Sequence, residues 1–282
     1  MSIQKVGVIG AGTMGNGIAH VFAASGHSVI LCDIEQSILD RALATITKNL
    51  DRALAKNKIT EAQKTETLHR IKPVTNRSAV SDCDFMVEAA SEKFELKSEL
   101  FRELDRICRS EVILASNTSS ISITKLGAAT RRADKVIGMH FFNPVPVMAL
   151  VEIVRGLATS NETFQAVREL AMKLGKTPVE VNDAPGFVSN RVLMPLLNEA
   201  MYAVMEGVAT PEAVDEVFKL GMAHPMGPLT LAYFIGLDIC LDIMRVMHND
   251  LGDPKYRPSP LLIKMVDAGR LGKKSGQGFY KY

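Results

Sequence analysis

Short apolar runs alternate with longer helical patterns through the first half of the chain. The runs lie at residues 6–9, 29–32, 84–89, 112–115 and 135–139. Continuous apolar runs of this length are typical of strands that are buried on both faces of a sheet. Amphipathic segments such as residues 93–109 separate them. The pattern therefore predicts βαβ units and an α/β fold with a doubly wound parallel sheet.

A helical insert interrupts this rhythm between the second and third runs. Residues 35–57 have the pattern of a long helix, and a second helix begins at Thr60, where Gln63 completes a capping-box sequence. The two helices are predicted to form a helical hairpin at the edge of the sheet. The hairpin carries the basic residues Lys48, Arg52, Lys56 and Lys58.

Helical spacing replaces the strand pattern in the last third of the chain. A turn sequence, Asp183-Ala184-Pro185-Gly186, marks the change. Beyond it, apolar residues recur at helical intervals, including one predicted helix over Leu229–Met247 and another over Leu261–Ala268. We predict an α/β domain over residues 1–184 and a smaller all-α domain over residues 185–282.

The composition indicates a globular protein and argues against nucleic-acid binding. Hydrophobic residues make up 47% and charged residues 23% of the 282 residues, which is ordinary for a folded domain. The net charge is only +2, too small to hold nucleic acid by electrostatics alone. Trp is absent, so no aromatic platform for single strands is predicted.

Membrane and metal sites are not predicted either. The sequence has no run of about 18 apolar residues that would span a bilayer. Its first residues lack the long apolar stretch of a secretory signal. Cysteines occur at positions 32, 83, 108 and 240, without a CxxC pair or nearby histidine clusters. Scattered cysteines are typical of a reducing compartment, so we expect a cytoplasmic location.

A glycine-rich turn follows the first predicted strand. Gly10, Gly12 and Gly15, with Met14 among them, fit the pattern G-x-G-x-x-G. The pattern is informative here because a strand precedes it, a helix follows it, and an acidic residue ends the second strand. The glycines permit a tight turn and close approach of a pyrophosphate, which the helix N-terminus attracts. We therefore predict a Rossmann-type dinucleotide site.

Asp33 selects between the two nicotinamide cofactors. It ends the second predicted strand, where a carboxylate suits the two ribose hydroxyls of NAD. The same charge would repel the 2′-phosphate of NADP, and no arginine follows directly, since Ile34 and Glu35 come next. The sequence therefore predicts NAD as the cofactor.

His140 is the strongest of the six histidines as an acid–base group. It lies at the carboxyl end of a predicted strand, where open α/β sheets bind their ligands. Glu152 follows inside an apolar run, where a carboxylate is costly unless it has a partner. Two interpretations stand side by side. The two residues form an acid–base pair, or Glu152 binds backbone amides while His140 is a core residue.

Three longer motifs resemble the L-3-hydroxyacyl-CoA dehydrogenase family. Residues 140–152 read HFFNPVPVMALVE, residues 183–191 read DAPGFVSNR and residues 272–280 read GKKSGQGFY. The resemblance covers essentially the whole chain and is far more specific than the glycine turn. It implies NAD-dependent, reversible oxidation of a (3S)-3-hydroxyacyl-CoA to the 3-oxoacyl-CoA, with 3-hydroxybutyryl-CoA as the expected substrate.

The resemblance also implies roles for individual residues. His140 would be the catalytic base and Glu152 its partner, while Ser119 and Asn190 would hold the substrate's oxygens. From residue type alone, Ser119 and Asn190 would equally be helix caps. The residues implied at the cofactor, beyond the glycine turn and Asp33, are Glu92, Lys97, Asn117, Ser119, Asn143 and Lys274.

Two further predictions concern the substrate's CoA moiety and a second subunit. Because CoA carries several phosphates, we expect Arg52 and Lys56, one helical turn apart, to contact them. The helical domain has more apolar positions than so small a unit can bury, and members of the family commonly pair through it. A homodimer is therefore expected. The candidate interface residues are Leu229, Leu231, Phe234, Ile235 and Leu237.

Two alternative functions share the predicted two-domain layout. Dehydrogenases of the 3-hydroxyisobutyrate type act on free hydroxy acids with a lysine as the acid–base group, and the pair of His140 and Glu152 argues against them. A non-catalytic protein of this fold, such as the lens crystallins related to the family, would not need the motif residues, which are all present here.

Overall fold

The computed structural model describes residues 3–281. The chain divides into two compact units, Met1–Asp183 and Ala184–Tyr282. The first unit is α/β and the second is all-helical. No helix within residues 3–281 is long and apolar enough to cross a membrane. In the same residues, no group of three or more His, Cys, Asp or Glu side chains is arranged to hold a metal ion.

An eight-stranded sheet forms the centre of the first unit. Its strand order is β3-β2-β1-β4-β5-β6-β7-β8, and only β6 and β7 pair antiparallel. The predicted doubly wound sheet is therefore confirmed. Its strands are β1 Lys5–Ile9, β2 Ser28–Cys32, β3 Ile71–Val74, β4 Phe85–Glu88, β5 Ile113–Ser116, β6 Val136–Phe141, β7 Leu150–Arg155 and β8 Thr177–Asn182.

Strand β3 has no apolar run that predicts it. Its sequence, Ile71-Lys72-Pro73-Val74, contains a charge and a proline. Proline removes one backbone donor, which a sheet tolerates only at its edge. Here β3 pairs with β2 alone. The strand therefore depends on its position in the sheet rather than on its own hydrophobicity.

Helices of the first unit cover the sheet and include the predicted hairpin. The hairpin consists of α2 and α3, which contact β3 at the sheet edge. Thr60 and Gln63 form the predicted capping box at the start of α3. The helices are α1 Thr13–Ala24, α2 Gln36–Ala55, α3 Glu61–His69, α4 Phe94–Ile107, α5 Ile123–Ala128 and α6 Asn161–Lys173.

The second unit differs from its prediction at one helix. We predicted a single helix over Leu229–Met247, and this is wrong, because Gly236 separates two helices. Gly236 has a φ of 106°, a conformation that glycine adopts readily and that ends a right-handed helix. A single glycine does not interrupt apolar spacing, so the pattern did not reveal the break. The helices are α7 Ser189–Met205, α8 Pro211–Gly221, α9 Pro228–Ile235, α10 Leu237–Leu251 and α11 Pro260–Asp267.

Two of the predicted interface residues lie in the core of the second unit instead. Leu229 and Leu237 have 0% exposure and pack among residues of α7, α10 and α11. Their assignment to a subunit interface was therefore wrong. Both residues follow the helical spacing that buries a helix face against its neighbours. Phe234 is 47% exposed and remains available at the surface.

Candidate active site

The glycine turn joins β1 to α1 in the way that the fingerprint requires. Gly10 has a φ of 95°, and a Cβ there would lie 2.6 Å from the Ala89 carbonyl oxygen. A Cβ on Gly15 would overlap the Gly10 carbonyl oxygen. By contrast, nothing lies within 4 Å of a Cβ built on Gly12. Gly10 and Gly15 therefore allow close packing, and Gly12 leaves open space in front of the turn.

That open space adjoins the N-terminus of α1. No side chain caps the helix at Gly12, and the first turn contains no acidic residue. The first backbone N–H groups of a helix have no intrahelical acceptor, and the helix dipole makes this end positive. An uncapped N-terminus behind an open glycine turn fits a pyrophosphate. The residues present therefore suit the cofactor that the sequence predicts.

Asp33 holds the glycine turn from the adjacent strand end. One carboxylate oxygen accepts a hydrogen bond from the Ala11 amide at 2.6 Å, and the other accepts one from the Ile34 amide at 2.7 Å. The carboxylate therefore lies directly beside the turn at the end of β2. This is where a ribose-binding acid belongs in a dinucleotide site.

His140 and Glu152 face each other across the antiparallel pair of β6 and β7. They are register partners, and the His140 Nδ1 lies 2.7 Å from the Glu152 Oε2. His140 is 7% exposed and Glu152 is 2% exposed. The carboxylate therefore holds the imidazole in one orientation in a buried setting. Of the two interpretations left open by the sequence, this geometry favours the pair.

Asn117 links the His140 strand to the centre of the sheet. It follows β5, and its side-chain oxygen accepts a hydrogen bond from the Phe141 amide at 2.9 Å. Its own amide donates to the Glu88 carbonyl at 2.7 Å. Asn117 therefore ties together the carboxyl ends of β4, β5 and β6, through the residue that follows His140.

Glu92 organises the loop that contains Ser119. Its Oε1 accepts hydrogen bonds from the Thr118 hydroxyl, from the Ser119 amide at 2.9 Å and from the Ser120 amide at 3.2 Å. Burial by itself would raise the pKa of the Glu92 carboxyl. The Lys97 ammonium and these donors outweigh it and lower that pKa. Glu92 is therefore a charged anchor for the serine loop.

Lys97 forms a buried ion pair with Glu88. The sequence analysis did not identify Glu88. Its Nζ lies 2.6 Å from the Glu88 Oε1 and 3.3 Å from the Glu92 Oε2. The Ser116 hydroxyl donates to the other Glu88 oxygen at 2.6 Å. Lys97 is 1% exposed, so its ammonium contacts protein groups. The available signal was a glutamate at the end of an apolar strand, where an unpaired carboxylate would be costly.

The first unit thus gathers most of the predicted residues at one edge of the sheet. The glycine turn, Asp33, Asn117 and His140 all lie at carboxyl ends of strands. Asn143 is exposed in the loop between β6 and β7, and Arg52 and Lys56 are exposed near the end of α2.

Two predicted residues belong to the second unit. Asn190 is buried in the first turn of α7. Lys274 forms an ion pair with Asp238 and keeps 48% of its side chain exposed. Lys274 is thus paired with a residue of its own unit.

Comparisons with known proteins identify the family over nearly the entire chain. Residues 5–184 match the model of the 3-hydroxyacyl-CoA dehydrogenase NAD binding domain. Residues 186–282 match the C-terminal domain of 3-hydroxyacyl-CoA dehydrogenase. The chain belongs to the 3-hydroxyacyl-CoA dehydrogenase family, and the resemblance stated from its motifs is confirmed.

Individual relatives point to one member of this family. A protein from Deinococcus radiodurans named "Probable 3-hydroxybutyryl-CoA dehydrogenase" is 59% identical over 99% of this chain and 100% of its own. The 3-hydroxybutyryl-CoA dehydrogenase of Bradyrhizobium diazoefficiens is 53% identical over 99% and 96%. The crystal structure of (S)-3-hydroxybutyryl-CoA dehydrogenase from Ralstonia eutropha has a TM-score of 0.96 and 52% identity, covering 100% of this chain and 99% of its own.

Proposed function

We propose that the protein catalyses the reversible oxidation of (3S)-3-hydroxybutyryl-CoA to acetoacetyl-CoA. NAD, when bound, would supply the hydride acceptor for the oxidation at C3 of the substrate. The observation that carries the proposal is the contact between His140 and Glu152. His140 lies at the carboxyl end of its strand, as the glycine turn does. Relatives named for this activity match the chain over its full length.

His140 moves the proton in the proposed mechanism. Its imidazole takes the proton of the 3-hydroxyl group as the hydride leaves C3, and it returns a proton to the 3-oxo group in the reverse direction. Glu152 stabilises the imidazolium and holds the ring in one orientation through Nδ1. The pair therefore supplies a base in one direction and an acid in the other.

Ser119 and Asn190 hold the substrate's oxygens in this proposal. Each offers a side-chain donor to the oxygen that gains charge, and one such donor is worth about 3 kcal/mol in well-studied oxyanion sites. Glu92 supports Ser119 by binding the backbone of its loop. Asn190 lies in the first turn of α7.

The two domains have different roles in the proposal. Residues 1–184 form the NAD-binding domain, which also contains the proposed substrate residues Ser119, Arg52 and Lys56, and residues 185–282 form the substrate-binding and dimerisation domain. The cofactor's pyrophosphate would bind at Gly10, Gly12, Met14 and Gly15, and its ribose at Asp33. The other proposed cofactor residues are Glu92, Lys97, Asn117, Ser119, Asn143 and Lys274, with Lys97 acting through Glu92.

The test of this function compares thioester with free acid. NADH consumption should be rapid with acetoacetyl-CoA and slow with free acetoacetate, because only the thioester carries the CoA moiety. Comparable rates with free acetoacetate would favour a free-acid dehydrogenase instead. Tight NADH binding without turnover of either compound would indicate a non-catalytic protein of the same fold.

The basic face of α2 is the proposed CoA phosphate site. Arg52 and Lys56 are exposed one turn apart, and Arg52 lies in the last turn of α2. The double substitution Arg52→Ala/Lys56→Ala should raise the KM for acetoacetyl-CoA about 100-fold, since it removes two charge-assisted hydrogen bonds worth about 1.5 kcal/mol each. The KM for NADH should remain unchanged.

A matched control exists on another helix. Arg102 and Arg106 are likewise exposed and one turn apart, on α4. Arg102→Ala/Arg106→Ala removes the same charge, so it should leave the KM for acetoacetyl-CoA within twofold of the wild type. Equal KM values for both double variants would remove α2 from the substrate site.

A homodimer through the helical domain is also proposed. Apolar side chains are exposed on α8, where Val217 is 56% and Leu220 is 77% exposed. Light scattering should give twice the chain mass of 30.8 kDa, and Val217→Glu/Leu220→Glu should reduce it to one chain by charging the interface. Leu157→Glu, at an exposed apolar site of the first unit, should remain dimeric. A monomeric wild type would contradict the proposal.

The proposed location is the cytoplasm. Cys32, Cys83, Cys108 and Cys240 are all free and buried, and burial raises the pKa of each thiol. Free thiols suit a reducing compartment. This supports the cytoplasmic location expected from the sequence.

A further inference from the structure

Lys176 is a buried lysine outside the proposed catalytic and cofactor residues. It lies between α6 and β8 with 8% exposure. Its Nζ donates to the Val145 carbonyl at 2.5 Å and to the Met148 carbonyl at 2.7 Å. Burial lowers the pKa of its ammonium. Lysines are almost never fully buried, so these two acceptors compensate a substantial desolvation cost.

Both acceptors belong to the segment that joins His140 to Glu152. We call residues 142–149, between β6 and β7, the hairpin loop. Most of its side chains face solvent, including Val147 at 75% exposure, whereas Val145 is 2% exposed. The loop thus has little hydrophobic burial of its own to fix its conformation. The hydrogen bonds from Lys176 to two of its carbonyls attach the loop to the segment between α6 and β8.

The buried Val145 provides the second attachment, against α1. A Cβ built on Gly17 would lie 2.9 Å from the Val145 Cβ, so the loop touches the backbone of this helix. Gly17 lies on α1, two residues beyond Gly15 of the glycine-rich turn. The hairpin loop is therefore held between Lys176 and the helix whose N-terminus is the proposed pyrophosphate site.

The loop carries a neighbour of the imidazole and a proposed cofactor contact. The ring centroids of Phe142 and His140 are 4.7 Å apart, so Phe142 packs against the imidazole. Asn143 is the next residue and is a proposed cofactor contact. A shift of the loop would therefore move the imidazole's neighbour and a cofactor contact together.

We propose that Lys176 is a positioning residue that fixes the hairpin loop, and through it Phe142 and Asn143, relative to the cofactor. The inference rests on the proposed function for its kinetic consequence. Its structural part, the coupling of Lys176 to cofactor affinity, is independent of the substrate's identity. Misplacement of reacting groups by about 1 Å can cost about 100-fold in rate, so a loosened loop affects turnover as well as binding.

The substitution Lys176→Met tests this inference because it keeps the aliphatic stem and removes the donors. We expect the dissociation constant of NADH, measured by the fluorescence of bound NADH, to rise about tenfold. We expect kcat at saturating NADH and acetoacetyl-CoA to fall at least about tenfold. Lys173→Met is the matched control, since Lys173 is exposed in the last turn of α6, and both values should stay within twofold of the wild type.

A second variant reaches the loop from its other side. Gly17→Ala introduces a Cβ against Val145, while alanine favours the helix by about 1 kcal/mol over glycine. The variant should fold, displace the hairpin loop and weaken NADH binding in the same direction as Lys176→Met. It keeps the inference testable if Lys176→Met does not fold.

Two outcomes would overturn the inference. In the first, Lys176→Met has a lower Tm, but its NADH dissociation constant and its kcat equal those of Lys173→Met. This result would show that Lys176 has a purely structural role. The other, where Lys176→Met does not fold, is unchanged NADH binding in Gly17→Ala. A wild-type protein that binds NADH but does not reduce acetoacetyl-CoA would instead remove the proposed function, and NADH binding would still test the loop.

Discussion

Replacing His140 with glutamine should lower kcat for 3-hydroxybutyryl-CoA by about 100- to 10,000-fold. This is the usual contribution of a positioned general acid–base group. Glutamine has similar length and can still donate to Glu152, so the strand pair of β6 and β7 should remain intact. The measurement is steady-state NADH formation by the folded variant, together with its NADH dissociation constant, which should stay within twofold of the wild type.

Glu152 should act through His140 and not independently. Glu152→Gln keeps a hydrogen-bond partner for Nδ1 but removes the negative charge that stabilises the imidazolium, so kcat should fall. The double variant His140→Gln/Glu152→Gln should be no slower than His140→Gln alone, because residues that act as a unit are not additive. Near-normal turnover in His140→Gln would exclude the proposed mechanism.

Removing His20 should make the protein markedly more resistant to mild acid. His20 lies in α1 with 7% exposure, and its Nδ1 has no hydrogen-bond partner within residues 3–281. Burial lowers the pKa of His20 from 6.5 to about 4. The unfolded chain therefore binds a proton between these values while the folded protein does not, so stability falls as the pH falls through this window.

The size of this effect follows from the pKa difference. A pKa difference of one corresponds to about 1.36 kcal/mol. Keeping His20 uncharged in the folded protein therefore costs about 3 kcal/mol of unfolding free energy at pH 4 relative to neutral pH. His20→Leu should lack this cost and should therefore lose about 3 kcal/mol less than the wild type between pH 7.5 and pH 4. Urea unfolding at several pH values measures the difference between the two proteins.

A control separates His20 from the other acid-sensitive groups. Burial also lowers the pKa of His27, which contributes in the same direction in every variant, so only differences from the wild type are informative. His69→Gln removes an exposed histidine of α3 and should follow the wild-type pH dependence. Parallel curves for the wild type and His20→Leu would show that His20 is not the group responsible.

Several strands and the cofactor turn could be predicted because their signals are local. The five apolar runs of the first unit became β1, β2, β4, β5 and β6, since a strand buried on both faces must be apolar throughout. The capping box at Thr60 was predictable for a similar reason, because its partners are three residues apart. By contrast, β3 and the helix break at Gly236 depend on neighbours that the local pattern does not contain.

The site was predictable to the level of residue type. His140 and Glu152 stood out as polar residues at a strand end and in an apolar run, and their family motif named them. The sequence left open whether they meet, and the register of β6 and β7 decides it. For Lys97 the family resemblance implied a cofactor contact, while the structure pairs it with Glu88.

The sequence by itself determined the fold class, the glycine turn with its preference for NAD, and the family, because each is written in short segments. Only the tertiary structure decided which hydrogen-bond partner each buried charge has. Sheet order and strand register bring Glu88 to Ser116 and Lys176 to Val145, and such partners are 28 and 31 residues apart along the chain. A buried charge must find a partner to offset its lost hydration, but the local sequence does not specify which one.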